Sequence, residues 1–88
     1  MSLAFQEVER IKKQFEQEYF FAQPYSEYVN MCGIAKIGVR DKIVPIDVAG
    51  DFCILVGLRK PLPQNLSLPT EYQGVKVVVG VIGEIRPL

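Results

Sequence analysis

The segment 75–85, VKVVVGVIGEI, constrains this chain more than any other. Branching at Cβ stiffens Val and Ile and suits them to a pleated, half-buried surface. Side chains alternate along a strand, so Val75, Val77, Val79 and Val81 share one face and Lys76, Val78, Gly80, Ile82 and Glu84 the other. Such a strand needs partners, and residues 32–40 (CGIAKIGVR) and 52–59 (FCILVGLR) supply two. In the first, Ala35, Ile37 and Val39 alternate with Ile34, Lys36, Gly38 and Arg40. In the second, Phe52, Ile54, Val56 and Leu58 form one side. These two are expected to pair antiparallel. The third is free to join parallel or antiparallel, because a long connection, 60–74, precedes it. That connection holds Pro61, Pro63 and Pro69, which exclude a central strand. One helical turn is expected near Pro69 and a turn at Gly74. Residues 41–51, broken by Pro45 and Gly50, are apolar enough at Ile43, Val44, Ile46 and Val48 to hold a short edge strand.

Ahead of the strands, Ala4, Val8, Ile11, Phe15, Tyr19 and Ala22 recur at three- and four-residue steps, which predicts an amphipathic helix over 4–22. Ser2 is a candidate N-cap, Glu9 and Lys13 a candidate i,i+4 ion pair, and Pro24 the stop signal. Tyr19, Phe20, Phe21, Tyr25 and Tyr28 crowd that stop, either closing one end of the core or forming an aromatic contact patch. A helix with one apolar stripe and a sheet with an apolar face bury each other most simply as two layers. The expected fold class is therefore α+β, with the helix on one face of a three- to four-stranded sheet, and 1–88 forming a single domain.

The second sheet face carries the functional reading. It is expected to hold Ile34, Lys36, Gly38 and Arg40, then Cys53, Leu55, Gly57 and Arg59, then Lys76, Val78, Gly80, Ile82 and Glu84. A sheet face bathed in water normally alternates to polar, and this one does not. Either a connection, 41–51 or 60–74, folds over it, or a second copy or another protein does. In the second case Ile34, Leu55, Val78 and Ile82 supply apolar area. Gly38, Gly57 and Gly80 permit close approach, and Arg40 and Arg59 form the rim.

Composition removes many function classes. Ten basic and ten acidic groups in 88 residues leave no net charge, so nothing marks a nucleic-acid footprint. The apolar run Val77 to Gly83 is far short of the roughly 20 residues of a membrane-spanning helix, and the first residues lack a secretory pattern. The expected compartment is the cytoplasm. There is no His, which excludes a Ser-His-Asp triad and a Cys-His dyad within the chain, and two Cys are too few for a structural zinc site. Neither phosphate-loop pattern, G-x-x-x-x-G-K-[ST] nor G-x-G-x-x-G, occurs.

What remains is sparse. Cys32 and Cys53 lie in neighbouring strands, as buried inert thiols or as a redox pair. Asp41, Asp47 and Asp51 share a loop, without the alternate spacing of an EF-hand. Lys36, Arg40, Arg59 and Lys76 are candidates for one charged face, solvated or anion-binding. No catalytic, metal-binding or cofactor-binding residue is assigned, and no enzyme activity is expected.

The stretch 33–87 (GIAKIGV, LRKPLP, LPTEYQGVKV and the closing GEIRP) resembles a small β-rich module of uncharacterised bacterial, notably cyanobacterial, proteins. The matching motifs are Leu62-Pro63, Leu68-Pro69, Gly74-Val75 and Gly83-Glu84-Ile85. In longer relatives the module precedes a trypsin-like peptidase domain. The N-terminal helix falls outside the resemblance, and the peptidase would begin where this chain stops, so no catalytic residue is carried over. The resemblance implies a regulatory or interaction role. The expected function is thus a non-enzymatic interaction module forming a dimer or higher homo-oligomer. The alternative is a small-ligand sensor binding between the helix and the Pro-rich connection.

Overall fold

The computed structural model of the chain describes residues 4–38, 42–44, 46–47 and 49–81. A helix, α1 (Phe5–Tyr19), is followed by a 3-10 turn (Tyr25–Glu27) and five strands: β1 (Val29–Ile37), β2 (Ile43–Val44), β3 (Asp51–Leu58), β4 (Glu71–Tyr72) and β5 (Val75–Val81). One helix on a mixed sheet is the α+β arrangement expected, with five strands rather than three or four. The order across the sheet is β2-β1-β3-β5-β4.

The helix begins after Ala4, whose side chain gives no cap, and ends at Tyr19. Its stop comes ahead of Pro24, where Phe20 and Phe21 both direct their N–H groups to the Glu16 carbonyl. The ion pair on its surface is Lys12–Glu16 at 2.8 Å, not Glu9–Lys13. Val8, Ile11 and Phe15 form its buried stripe.

β1 and β3 are antiparallel, with Val29 opposite Leu58, Ile34 opposite Ile54 and Ile37 opposite Asp51; an irregularity lies between Val29 and Met31. β5 joins β3 in parallel, Ile54 beside Val77 and Gly57 beside Gly80. A parallel neighbour requires a crossover, and 59–74 provides it. Leu62 and Leu68 pack against the same core cluster as α1, and the Tyr25 hydroxyl donates to the Ser67 carbonyl at 3.0 Å, so the crossover runs on the helix side. The expected helical turn near Pro69 is instead strand β4. It returns through Gln73 and Gly74, both at positive φ (49° and 84°), as a two-residue hairpin requires. The short edge strand expected within 41–51 is β2.

The core is Val8, Ile11 and Phe15 of α1 on Val29, Ile54, Val56, Leu58, Val75 and Val77 of the sheet. Tyr19, Phe20, Tyr25 and Tyr28 close its end as expected, while Phe21 stays 62% exposed, stacked on Phe20. No described side chain that is polar or charged is buried. No helix among the described residues is long and apolar enough to cross a membrane.

Candidate functional site: the open side of the sheet

Strand register decides which residues face away from the helix. Ile34 stands opposite Ile54, and Cys32 opposite Val56, so beyond the irregularity the even residues of β1 share the helix side with the even residues of β3, as Val29 does before it. The face expected from sequence is therefore corrected along β1. Ile34 packs against the core beneath the helix, and Lys36 lies with its ammonium 4.9 Å from the centroid of Phe52 on that same side. The side away from the helix is lined by Met31, Gly33, Ala35 and Ile37 of β1, then Cys53, Leu55 and Gly57 of β3, then Val78 and Gly80 of β5. Ile43 of β2, opposite Ile37, extends it and is 42% exposed.

Of the residues assigned from sequence to a contact surface, Leu55, Gly57, Val78 and Gly80 are thus brought together. Gly38 sits just beyond β1, where a Cβ would approach the Val44 side chain to 3.0 Å; its close neighbour is the chain's own β2. Arg59 is exposed past the end of β3, and its N–H donates to the Tyr28 carbonyl at 2.8 Å. Arg40 and Ile82 lie outside the described residues, as does Asp41. Met31, Gly33, Ala35 and Ile37 belong to the surface although alternation alone assigned the other set.

Exposure on this side is uneven: Met31 and Ile43 are exposed, Gly33, Leu55 and Val78 half-buried, and Ala35, Cys53 and Gly57 buried. A Cβ built at Gly33 or Gly80 meets no atom within 4 Å, so there is open space above both. Gly57 lies directly between Met31 and Gly80, so in that row the bulk comes from Met31 alone. Charge gathers at the other end. Lys76 is beside Cys53 and opposite Glu71, and Asp51 terminates β3. α1, the 3-10 turn and the crossover all pack on the opposite side. The expected charged face is split, with Lys36 under the helix side and Lys76 on the open side.

The two cysteines are on opposite faces of the sheet, which rules out a bond between them within one chain. Burial pushes the Cys32 thiol up to about 11, the Glu16 carboxylate reinforcing the shift and Lys12 opposing it. Burial also raises Cys53, against a backbone hydrogen bond from Ala35 and the charge of Lys76. Both thiols are protonated near neutral pH and are poor nucleophiles. Asp47 and Asp51 are exposed, and no three His, Cys, Asp or Glu among the described residues gather to hold a metal.

The space between helix and Pro-rich connection is filled by rings. Phe15 lies 5.4 Å from Tyr72 and 4.9 Å from Tyr19, and Tyr19 lies 5.0 Å from Tyr25, centroid to centroid. An open hollow of 440 Å³ occurs elsewhere, between Ile37, Gly38, Ala49, Gly50 and Asp51. No protein-family model, curated protein or solved structure matches this chain. The functional reading therefore rests on the geometry of the open side.

Proposed function

We propose that the protein is a non-enzymatic interaction module that self-associates through the open side of its sheet. The observation that carries this reading is asymmetry of packing: α1, the 3-10 turn and the crossover lie on one side of the sheet, while the other presents Met31, Leu55 and Val78 with open space above Gly33 and Gly80. Contiguous apolar surface of this kind marks contact sites on soluble proteins. The occupant is a second copy of the chain. Strands β1, β3 and β5 give roughly 400 Å² of planar sheet per copy from strand spacing and rise. Two such faces approach the lower bound of about 1,000 Å² for a specific contact once side-chain relief is added. A face floored by Gly33, Ala35, Gly57 and Gly80 suits another flat layer, and packing it on itself satisfies two open sides at once.

Leu55→Asp tests this. The variant is expected to keep its circular dichroism spectrum and to halve its sedimentation mass at micromolar concentration. A wild-type mass of one chain, an unchanged mass in the variant, or an unfolded variant each overturns the reading; unfolding would mean that the open side is internal core.

A further inference from the structure

The crossover between β3 and β5 is fixed at both ends and lightly tied between them. At its start the Arg59 N–H donates to the Tyr28 carbonyl at 2.8 Å, and at its end the Thr70 carbonyl accepts the Val77 N–H at 2.9 Å. Pro61, Pro63 and Pro69 have no N–H to give. Among the described residues, one backbone bond closes within 60–69, from the Leu66 N–H to the Pro63 carbonyl at 3.0 Å. No residue from 60 to 70 is fully buried. Leu62 and Leu68 pack half-buried against the core cluster, and the Lys60 ammonium lies 5.0 Å from the centroid of the Tyr28 ring. The remaining tie is the Tyr25 hydroxyl, which donates to the Ser67 carbonyl at 3.0 Å. Tyr25 belongs to the 3-10 turn and is anchored independently of the crossover. Its ring meets Tyr19 edge-on at 5.0 Å, and Tyr19 packs on Phe15 at 4.9 Å. The turn therefore stays with the helix when the crossover moves.

We infer that residues 60–69 form a strap that opens and recloses on the otherwise folded body, hinged at Arg59 and Thr70 and latched by Tyr25. Opening detaches two half-buried leucines and one hydrogen bond. Unfolding the whole chain also breaks the ladders of β1, β3 and β5 and exposes Phe15 and Ile54, which have no accessible surface. A segment with so little burial occupies the low end of the range of local opening free energies. Both hinges lie outside the β3–β5 ladder, which ends at Leu58 on one strand and begins beside Lys76 on the other, so the sheet persists while the strap is open. Opening uncovers the core beneath Leu62 and Leu68, and the Tyr25 latch regulates that access. The adjustable part of this fold is thus on the helix side, away from the face assigned to self-association.

Thermolysin, which cuts ahead of leucine, tests this on the whole chain. Leu62 is flanked by prolines and Leu68 precedes one, so Asn65–Leu66 is the favoured bond within the strap. Cleavage tracks the open population when reclosing is fast. Initial rates at that bond, read from fragment masses, are measured in low urea for the wild type, Tyr25→Phe, Ile54→Ala and a free peptide of residues 58–72. The wild type is expected to be cut at least tenfold more slowly than the peptide. Its rate should rise with urea at less than half the slope of global unfolding, because opening exposes little surface. Tyr25→Phe should raise the rate roughly two- to tenfold, the net worth of one hydrogen bond. Ile54→Ala lowers global stability more and should raise the rate less than Tyr25→Phe does. A wild-type rate equal to that of the peptide overturns the inference, since the strap is then never latched. So does a rate that Tyr25→Phe leaves unchanged, or one that Ile54→Ala raises more. Should Ile54→Ala fail to fold, the wild-type urea slope decides: a slope equal to that of unfolding overturns the inference.

Discussion

Ile54 and Leu55 are adjacent on β3, isomeric in side chain and on opposite faces, so truncating each to Ala reads the cover on each side of the sheet. Ile54 has no exposed surface and sits between Ile34 and Val77 beneath the helix. Losing it removes transfer energy and leaves a cavity that close-packed neighbours fill only in part, at a cost of roughly 2–5 kcal/mol. A chain of 88 residues is expected to be stable by about 4–13 kcal/mol, so Ile54→Ala spends a large share of that margin. At about 4–8 °C per kcal/mol in a domain of this size, the midpoint should fall by roughly 8–40 °C. Leu55 is half-buried and has open space on its side, so Leu55→Ala leaves no enclosed cavity and forfeits only about 1 kcal/mol of partial burial. The assay is urea unfolding followed by circular dichroism, at submicromolar and at tens-of-micromolar chain. When dilute, the Ile54 variant should lose at least twice what the Leu55 variant loses. When concentrated, the Leu55 gap should widen, because the proposed self-association would stabilise the wild type by mass action. Equal losses at dilution would refute the reasoning, since they would require Leu55 to be as enclosed as Ile54.

Two further outcomes follow from local geometry and from titration. Gly50→Ala should destabilise by about 1–3 kcal/mol in thermal melts, because Gly50 has φ of +157° and an added Cβ would fall 2.5 Å from the Ile37 carbonyl oxygen. Gly33→Ala, with nothing within 4 Å of its Cβ, is the near-neutral control for the dilute chain. Stability should also fall in alkali. A folded-state thiol titrating at about 11 rather than 9.0 means that the unfolded chain releases its proton first. The stabilisation is therefore complete below about pH 9 and is lost as pH rises through 11. Cys53, Tyr19 and Tyr72 shift the same way, each chiefly by burial, and Cys32→Ala should flatten the decline in denaturation midpoints across that window.

The sequence made the layers legible because each depends on one strong periodicity. Val8, Ile11 and Phe15 on the helix, and Val75 and Val77 on the strand, sit where three-to-four and two-residue spacing put them. β4 escaped because two residues carry no period. The signal for it was the pair Gln73-Gly74, a two-residue turn that tolerates positive φ, and Thr70, which receives the returning strand. The early helix stop escaped because Phe20 and Phe21 close the last turn on Glu16 without glycine or proline.

The face of β1 was misread for a physical reason that bears on the site. A one-residue slip in register exchanges the two faces of a strand. β1 is apolar on both, so alternation gives no sign. Bulk within β1 gives none either, with Cys32, Ile34 and Lys36 on the helix side and Met31, Gly33, Ala35 and Ile37 on the open side; the sign comes from its neighbours. In β3 the helix side carries Phe52, Ile54, Val56 and Leu58 against Cys53, Leu55 and Gly57. In β5 it carries Val75, Val77, Val79 and Val81 against Lys76, Val78 and Gly80. A helix packs as a cylinder on a twisted plane and leaves gaps that only large side chains fill to close-packed density. A second sheet is itself a plane, and small residues bring its backbone nearer. The same size asymmetry that fixes the helix on one side therefore favours a flat layer on the other. The proposed pairing of the open side with another copy of its own sheet draws on this asymmetry in β3 and β5.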